Sequence, residues 1–221
     1  MNKRRNQSRL VRALTYCATV LMTAIMLWSC HSITRVKSGE IEQNFDPVQR
    51  AMILSEDSLA PMRVYKINNY SDSILLRTKS ENVIVDSSDQ VLQNFISRLY
   101  RTVIDSISMG VGIAAPQVGI LKNIIWVQRF DKPNLPFEVY LNPKITKYSE
   151  EKQPCLEGCL SIPGRADTTK TRAQFIDLVY DTFKSTQVSE RVEGFTAVIF
   201  QHEIDHLDGI LYLDHLEKES K

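Results

Sequence analysis

The residues of this chain best placed to do chemistry are two histidines four positions apart, the first followed by a glutamate: His202-Glu203-Ile204-Asp205-His206. On a helix, positions i and i+4 share one face a turn apart, so both imidazoles can reach a single metal ion. Glu203 then stands beside a water held by that ion, where it can act as general base. The approach to the motif supports a helix. Val192 to Phe200 carries one charge, Glu193, and a helix apolar nearly all round is a buried one. Buried imidazoles and carboxylates need partners, and a metal supplies them. The plain alternative is a solvated helix with two incidental histidines.

Two histidines leave a metal short of the three protein ligands usual at catalytic sites. One protease pattern places a third histidine six residues on, with a glycine between; Gly209 is present, but the ligand position holds Tyr212. Another protease class takes a glutamate from a later helix. Only fifteen residues follow His206, which leaves no room for a second packed helix on this reading. His215 is assigned to the end of the fold rather than to the metal. The third ligand is therefore sought upstream, where Glu157-Gly158-Cys159-Leu160-Ser161 offers a thiolate suited to zinc or ferrous iron. A buried free cysteine acting as a small hydrophobe is the alternative. Further upstream, Gly110-Val111-Gly112-Ile113-Ala114-Ala115-Pro116-Gln117 is a run of small residues ending in an amide, which a substrate backbone could approach closely. It could equally be a bulge or a phosphate loop, though it has neither GxGxxG spacing nor a following Lys-Ser/Thr.

Taken together and in this order, the three segments resemble peptide deformylase, a family with GxGxAAxQ, EGCLS and HExxH motifs; the likeness runs from about Pro61 to Leu216. The resemblance implies that Cys159, His202 and His206 bind the metal, ferrous iron in the family although zinc also binds, with a position left open for water. It implies that Glu203 takes the water's proton and passes it to the departing amine. Gln117 and the backbone N–H of Leu160 would stabilise the oxyanion, and pre-placed donors of this kind are worth about 3–4 kcal/mol each. Val111 and Val198 would line the methionine pocket, with the backbone of Gly112 pairing with the peptide. Cys155 falls where the family has an apolar side chain beside that pocket. Glu157 and Arg172 resemble a pair that braces the metal loop. Arg165 departs from the family spacing, so a substrate role is not assigned to it. The implied reaction is hydrolysis of the N-formyl group from N-formylmethionyl peptides or nascent chains, releasing formate. A secreted metallopeptidase, and a non-catalytic family member that binds formyl peptides or metal, are the competing readings.

The elements that must position these residues fit an α+β class: a compact single catalytic domain, residues 61–217, of antiparallel strands around a central metal-binding helix. Val91, Leu92, Phe95, Ile96, Leu99 and Val103 recur at helical spacing behind a Ser88 or Asp89 cap, and form core. Strands are expected at 123–129 and 137–142, around a turn marked by Pro133 and Pro136, and again at 174–181 and 187–192. Residues 31–60 mix charges without periodicity and are expected to be a tether with some local order.

The first thirty residues read differently. Lys3, Arg4, Arg5, Arg9 and Arg12 precede an apolar stretch from Ala13 to Trp28, shorter than the ~20 residues of a spanning helix. Leu27, Ser29 and Cys30 then resemble a bacterial lipoprotein cleavage site, which predicts a signal peptide over 1–30, lipidation of Cys30 and a membrane-anchored protein of the cell envelope. An uncleaved signal is the next option. A start at Met52 or Met62 would instead give the cytoplasmic protein that the family resemblance implies. The 221 residues are 43% hydrophobic with a formal charge of +1, enough for one core and too neutral for nucleic acid as main partner. Cys17 and Cys30 belong to the leader, so Cys155 and Cys159 make no disulfide scaffold, and pairing them would consume a metal ligand.

Overall fold

The structure is a computed structural model that describes residues 43–105, 110–184 and 186–219. The expected signal peptide, Cys30 and the first part of the expected tether lie outside the described residues. From Gln43 onward the chain forms one compact unit. Its helices are α1 (Pro47–Ile53), α2 (Tyr70–Leu76), α3 (Gln90–Val103), α4 (Gly194–Leu207) and α5 (Tyr212–Glu219). Its strands are β1 (Gly112–Ala114), β2 (Ile124–Gln128), β3 (Phe137–Tyr148), β4 (Lys152–Cys159), β5 (Ile162–Ala173), β6 (Phe175–Asp181) and β7 (Val188–Glu193). The α+β class and the central helix expected from the sequence are what the structure contains. Among the described residues no helix is long and apolar enough to cross a membrane.

Five strands form an antiparallel sheet in the order β1-β2-β3-β6-β7, and β4 and β5 form a separate antiparallel pair. Alternation along β1 and β2 sorts the two faces of the larger sheet. Ile113 and Ile124 point to a core shared with Phe95, Leu99 and Val103 of α3. Ala114, Ile125 and Val127 point to a core shared with Ala197, Phe200 and Ile204 of α4. Burying each large side chain of this kind contributes about 1.5–3 kcal/mol. All six residues of the α3 stripe are buried, and Asp89 rather than Ser88 is the cap, accepting from the N–H groups of Val91 and Leu92 at 2.9 and 3.1 Å.

Four expectations are corrected. Residues 44–60 are no tether: Phe45 and Ile53 are core, and the buried Arg98 of α3 donates to the carbonyls of Met52, Ile53, Ala60 and Pro61. A guanidinium removed from water needs such acceptors, so the segment docks through its backbone, which hydrophobic periodicity does not register. Strand β3 continues past Asn142-Pro143 to Tyr148, because Asn142 adopts φ 51° and the register shifts between Leu141 and Lys144, a bulge that accommodates the proline. The β4–β5 pair had no sequence expectation, since its strands carry charges on both faces. The C-terminus does form a further helix, α5, whose Tyr212 packs with Leu211 and Ile162. Val192 and Glu193 end β7, and α4 begins at Gly194, a glycine with φ 61°.

Candidate active site

Helix α4 lies between the two sheets and carries His202, Glu203 and His206, all largely buried. The third donor comes from the β4–β5 turn. Cys159 pairs with Ile162 across the two-residue turn Leu160-Ser161, with a register shift at Gly158/Cys159. The turn is held from behind. Ile67 N–H donates to the Ser161 carbonyl at 3.0 Å, and Tyr65 N–H to the Gln117 carbonyl at 2.7 Å, so one segment ties down both the thiol loop and the amide.

The donor atoms of Cys159, His202 and His206 lie within 4.8 Å of one another. His206 Nε2 is 3.2 Å from Cys159 Sγ. His202 Nδ1 is bonded to Glu157 Oε2 at 2.8 Å, which leaves Nε2 for the cluster. Burial lowers the pKa of His202, but its bonds to Cys159 and Glu157 outweigh this and raise it well above the ordinary value. Burial and the charge of His202 hold His206 well below its ordinary value, so it is neutral. One sulfur and two imidazole nitrogens in this arrangement fit a divalent metal of the iron or zinc type.

Glu203 and His206 each bury an unpaired atom in the site, Oε2 of the first and Nδ1 of the second. Burial raises the Glu203 carboxyl to about 7 despite the nearby His202 charge. Gln117, also buried, has its orientation set by the backbone. Its Oε1 accepts from Ala114 N–H at 2.8 Å, so the NH2 group must face the cluster, 3.5 Å from Cys159 Sγ and 3.3 Å from Ser161 Oγ. Gly112 passes so close that a Cβ there would sit 2.5 Å from Glu203 Oε1.

All nine residues singled out in the sequence converge: Val111, Gly112, Gln117, Cys159, Leu160, Val198, His202 and Glu203 line one cleft, and His206 completes the donor cluster beneath it. Cys155 and Arg165 also line it, the latter paired with Asp167 at 2.6 Å. Cys155 and Cys159 are free thiols. Glu157 and Arg172 pair through two bonds of 2.8 Å, as the brace requires. Tyr212, which stands where another protease pattern has a histidine, stacks on His202 with ring centroids 6.1 Å apart. Sequence reasoning missed Phe195 on the cleft wall, although 195, 198 and 202 fall on one helical face. It also missed the bonds of Asp205 to Arg172 and His215.

The polypeptide deformylase family model matches residues 64–221. The peptide deformylase of Desulforudis audaxviator is 39% identical over 155 residues, covering 69% of this chain and 94% of the relative. The chloroplastic/mitochondrial peptide deformylase 1B of Arabidopsis thaliana is 31% identical, covering 94% of this chain and 71% of its own. Among solved structures, the class I type b peptide deformylase of Acinetobacter baumannii with Met-Ala-Ser bound is 32% identical, covers 71% of this chain and 98% of its own, and superposes with a TM-score of 0.62. With its three motifs assembled around one cleft, the chain belongs to the polypeptide deformylase family.

Proposed function

We propose that the cleft removes the N-formyl group of N-formylmethionyl peptides, with Cys159, His202 and His206 holding a divalent metal, ferrous iron by preference and zinc as a substitute. The observation that carries this reading is the convergence of that donor set with an unpaired buried carboxylate oxygen and an amide donor in one cleft. A metal held by these three residues would supply Lewis acidity and lower the pKa of a water in the cleft toward neutrality. Glu203, raised to about 7, is matched to accept the water's proton and later to deliver it to the departing amine. Water oxygen adds to the formyl carbon, the C–N bond breaks, and formate and a free amine leave. The Gln117 amide and the Leu160 N–H are the donors for the oxyanion. The Acinetobacter relative binds Met-Ala-Ser; in this chain we assign the methionine side chain to the wall of Val111 and Val198, with Phe195 at its rim, and the peptide backbone to Gly112. The basic and apolar N-terminus before Cys30 supports an envelope-anchored enzyme, checked by whether Cys30→Ala shifts the protein out of the membrane fraction.

The test is formate release from formyl-Met-Ala-Ser by the full chain, purified without oxygen and loaded with iron. Glu203→Gln should lower turnover about 10²- to 10⁴-fold with metal still bound. Wild-type protein that holds metal but releases no formate sinks the reading.

A further inference from the structure

A line of buried and partly buried bonds runs from the donor cluster to the C-terminal helix. His202 Nδ1 meets Glu157 Oε2 at 2.8 Å. Glu157 receives Arg172 Nε and Nη2, both at 2.8 Å, and the hydroxyl of Thr169. With the ring of His202, these occupy all four acceptor positions of the carboxylate, so Glu157 has no freedom left to turn. The third nitrogen of Arg172, Nη1, reaches Asp205 Oδ2 at 2.6 Å, and the same oxygen meets His215 Nε2 at 2.8 Å.

Donor accounting settles the roles along this line. The Asp205 carboxylate accepts, so Nε2 of His215 carries the hydrogen. Its Nδ1 stands 3.4 Å from Thr171 Oγ1. The 3.4 Å approach of Arg172 Nη1 to His215 Nε2 brings two donors together and is no bond. His215 therefore points its Nε2–H at Asp205, from a helix that is also attached through Tyr212, Leu213 and Leu216 and through the Arg77–Asp214 and Lys170–Glu219 contacts. Asp205 is partly open to solvent, with 16% of its side chain exposed, against 3% for Glu157. It is the one carboxylate of the line that could turn outward.

We propose that His215 is a positioning residue for the metal centre. By fixing Asp205 on Arg172 it keeps the guanidinium seated on Glu157, and so keeps the ring of His202 aimed at the metal. The inference rests on the metal reading of Cys159, His202 and His206. Partners of this kind behind metal-ligating histidines are worth about 10–100-fold in affinity.

The test is a Co²⁺ titration of the metal-free full chain, read by thiolate-to-cobalt absorption, by the d–d bands and by competition for the dissociation constant. His215→Ala should weaken Co²⁺ about tenfold and alter the d–d bands. His215→Gln, whose amide can still donate to Asp205, should recover most of both. Leu216→Ala, which loosens the helix without touching the line of bonds, should lower Tm and leave affinity and spectrum as in the wild type. The inference is overturned if His215→Ala leaves both readouts unchanged, or if Leu216→Ala moves them equally. A wild-type chain with no thiolate-to-cobalt band overturns the metal reading and this inference together, whereas a normal wild-type band with an unaffected His215→Ala overturns this inference alone.

Discussion

Three arginines are almost wholly buried among the described residues; Arg98 is held by backbone carbonyls, while Arg129 and Arg172 both pair with carboxylates and yet do different work. Arg129, at the end of the larger sheet, bonds Asp131 at 2.8 and 2.6 Å, Glu190 at 2.9 and 3.0 Å, and the Tyr140 hydroxyl at 2.6 Å. Its partners come from β3, β7 and the β2–β3 turn, and none of them lines the cleft. Arg172 bonds two carboxylates, and beyond each lies a histidine: His202 behind Glu157 and His215 behind Asp205. Charge and burial alone do not separate the two. What separates them is whether the next bond ends on a ring that must point at something. Solvent makes a second difference, because the acids around Arg129 are 23–33% exposed whereas Glu157 is 3% exposed.

That contrast sets the largest expected effects. Arg172→Ala strands Glu157 as a buried carboxylate bonded only to His202 and Thr169, a change that costs about 3–5 kcal/mol. It should also weaken metal binding by about 10–100-fold, since His202 loses the brace behind its Nδ1 partner. Arg129→Ala leaves acids that can turn to water, so the loss of stability should be smaller, about 1–3 kcal/mol, with metal affinity unchanged. Urea denaturation and Co²⁺ titration of the two variants read both quantities. Equal losses of metal affinity would erase the distinction.

The sequence carried more of the site than of its supports, for physical reasons. HExxH is local, so helix geometry alone places two imidazoles and a carboxylate. The α3 stripe and strands β2, β6 and the start of β3 declare themselves through periodicity. The β4–β5 pair does not, because Glu157, Thr169 and Arg172 are buried by satisfying one another, and such pairing is visible only once the strands are in register. The Asp205–His215 contact needs a chain reversal at Gly209, where φ is 73° and a Cβ would lie 2.5 Å from the Arg77 carbonyl. The glycine was legible, but the direction in which it sends α5 was not. Residues 44–60 went unread because the carbonyls that bind Arg98 have no side-chain signature.

A second contrast concerns carboxylates, with and without a cation bonded to them. Burial raises the pKa of Glu157, but His202 and Arg172 outweigh it and hold the group well below the carboxylate range. Its contribution to stability is therefore present above an unfolded pKa of about 4.5 and fades only as pH falls toward the depressed folded value. Glu203 is the reverse case, raised to about 7 by burial. The folded state prefers its protonated form, so the metal-free protein loses stability as pH rises from about 4.5 to about 7. Glu203→Gln, which removes that titration, should stabilise the metal-free chain by about 2–3 kcal/mol at pH 8 and by close to nothing at pH 4. Thermal unfolding at the two pH values measures this. A gain equal at both would mean that Glu203 is not the strained carboxylate of the site.

The smallest effect sharpens the difference between the two glycine-bearing motifs that flank the cleft. At Gly112, an added methyl would lie 2.5 Å from Glu203 Oε1 and 2.9 Å from both Glu203 Cγ and Ile199 Cγ2. At Gly158, in the strand leading to Cys159, the same methyl would meet nothing closer than 3.9 Å. Gly112→Ala must therefore displace Glu203, the proposed general base, and a shift of about 1 Å at a reacting group costs on the order of 10²-fold in rate. Gly158→Ala should change kcat/KM by less than about threefold, in line with surface substitutions that shift energies by within ±0.5 kcal/mol. Both variants should bind Co²⁺ like the wild type, because neither methyl meets a donor atom. A Gly112→Ala enzyme with full kcat/KM would mean that Glu203 can leave its place against β1 without penalty, and the tight packing of that glycine would then serve the sheet rather than the reaction.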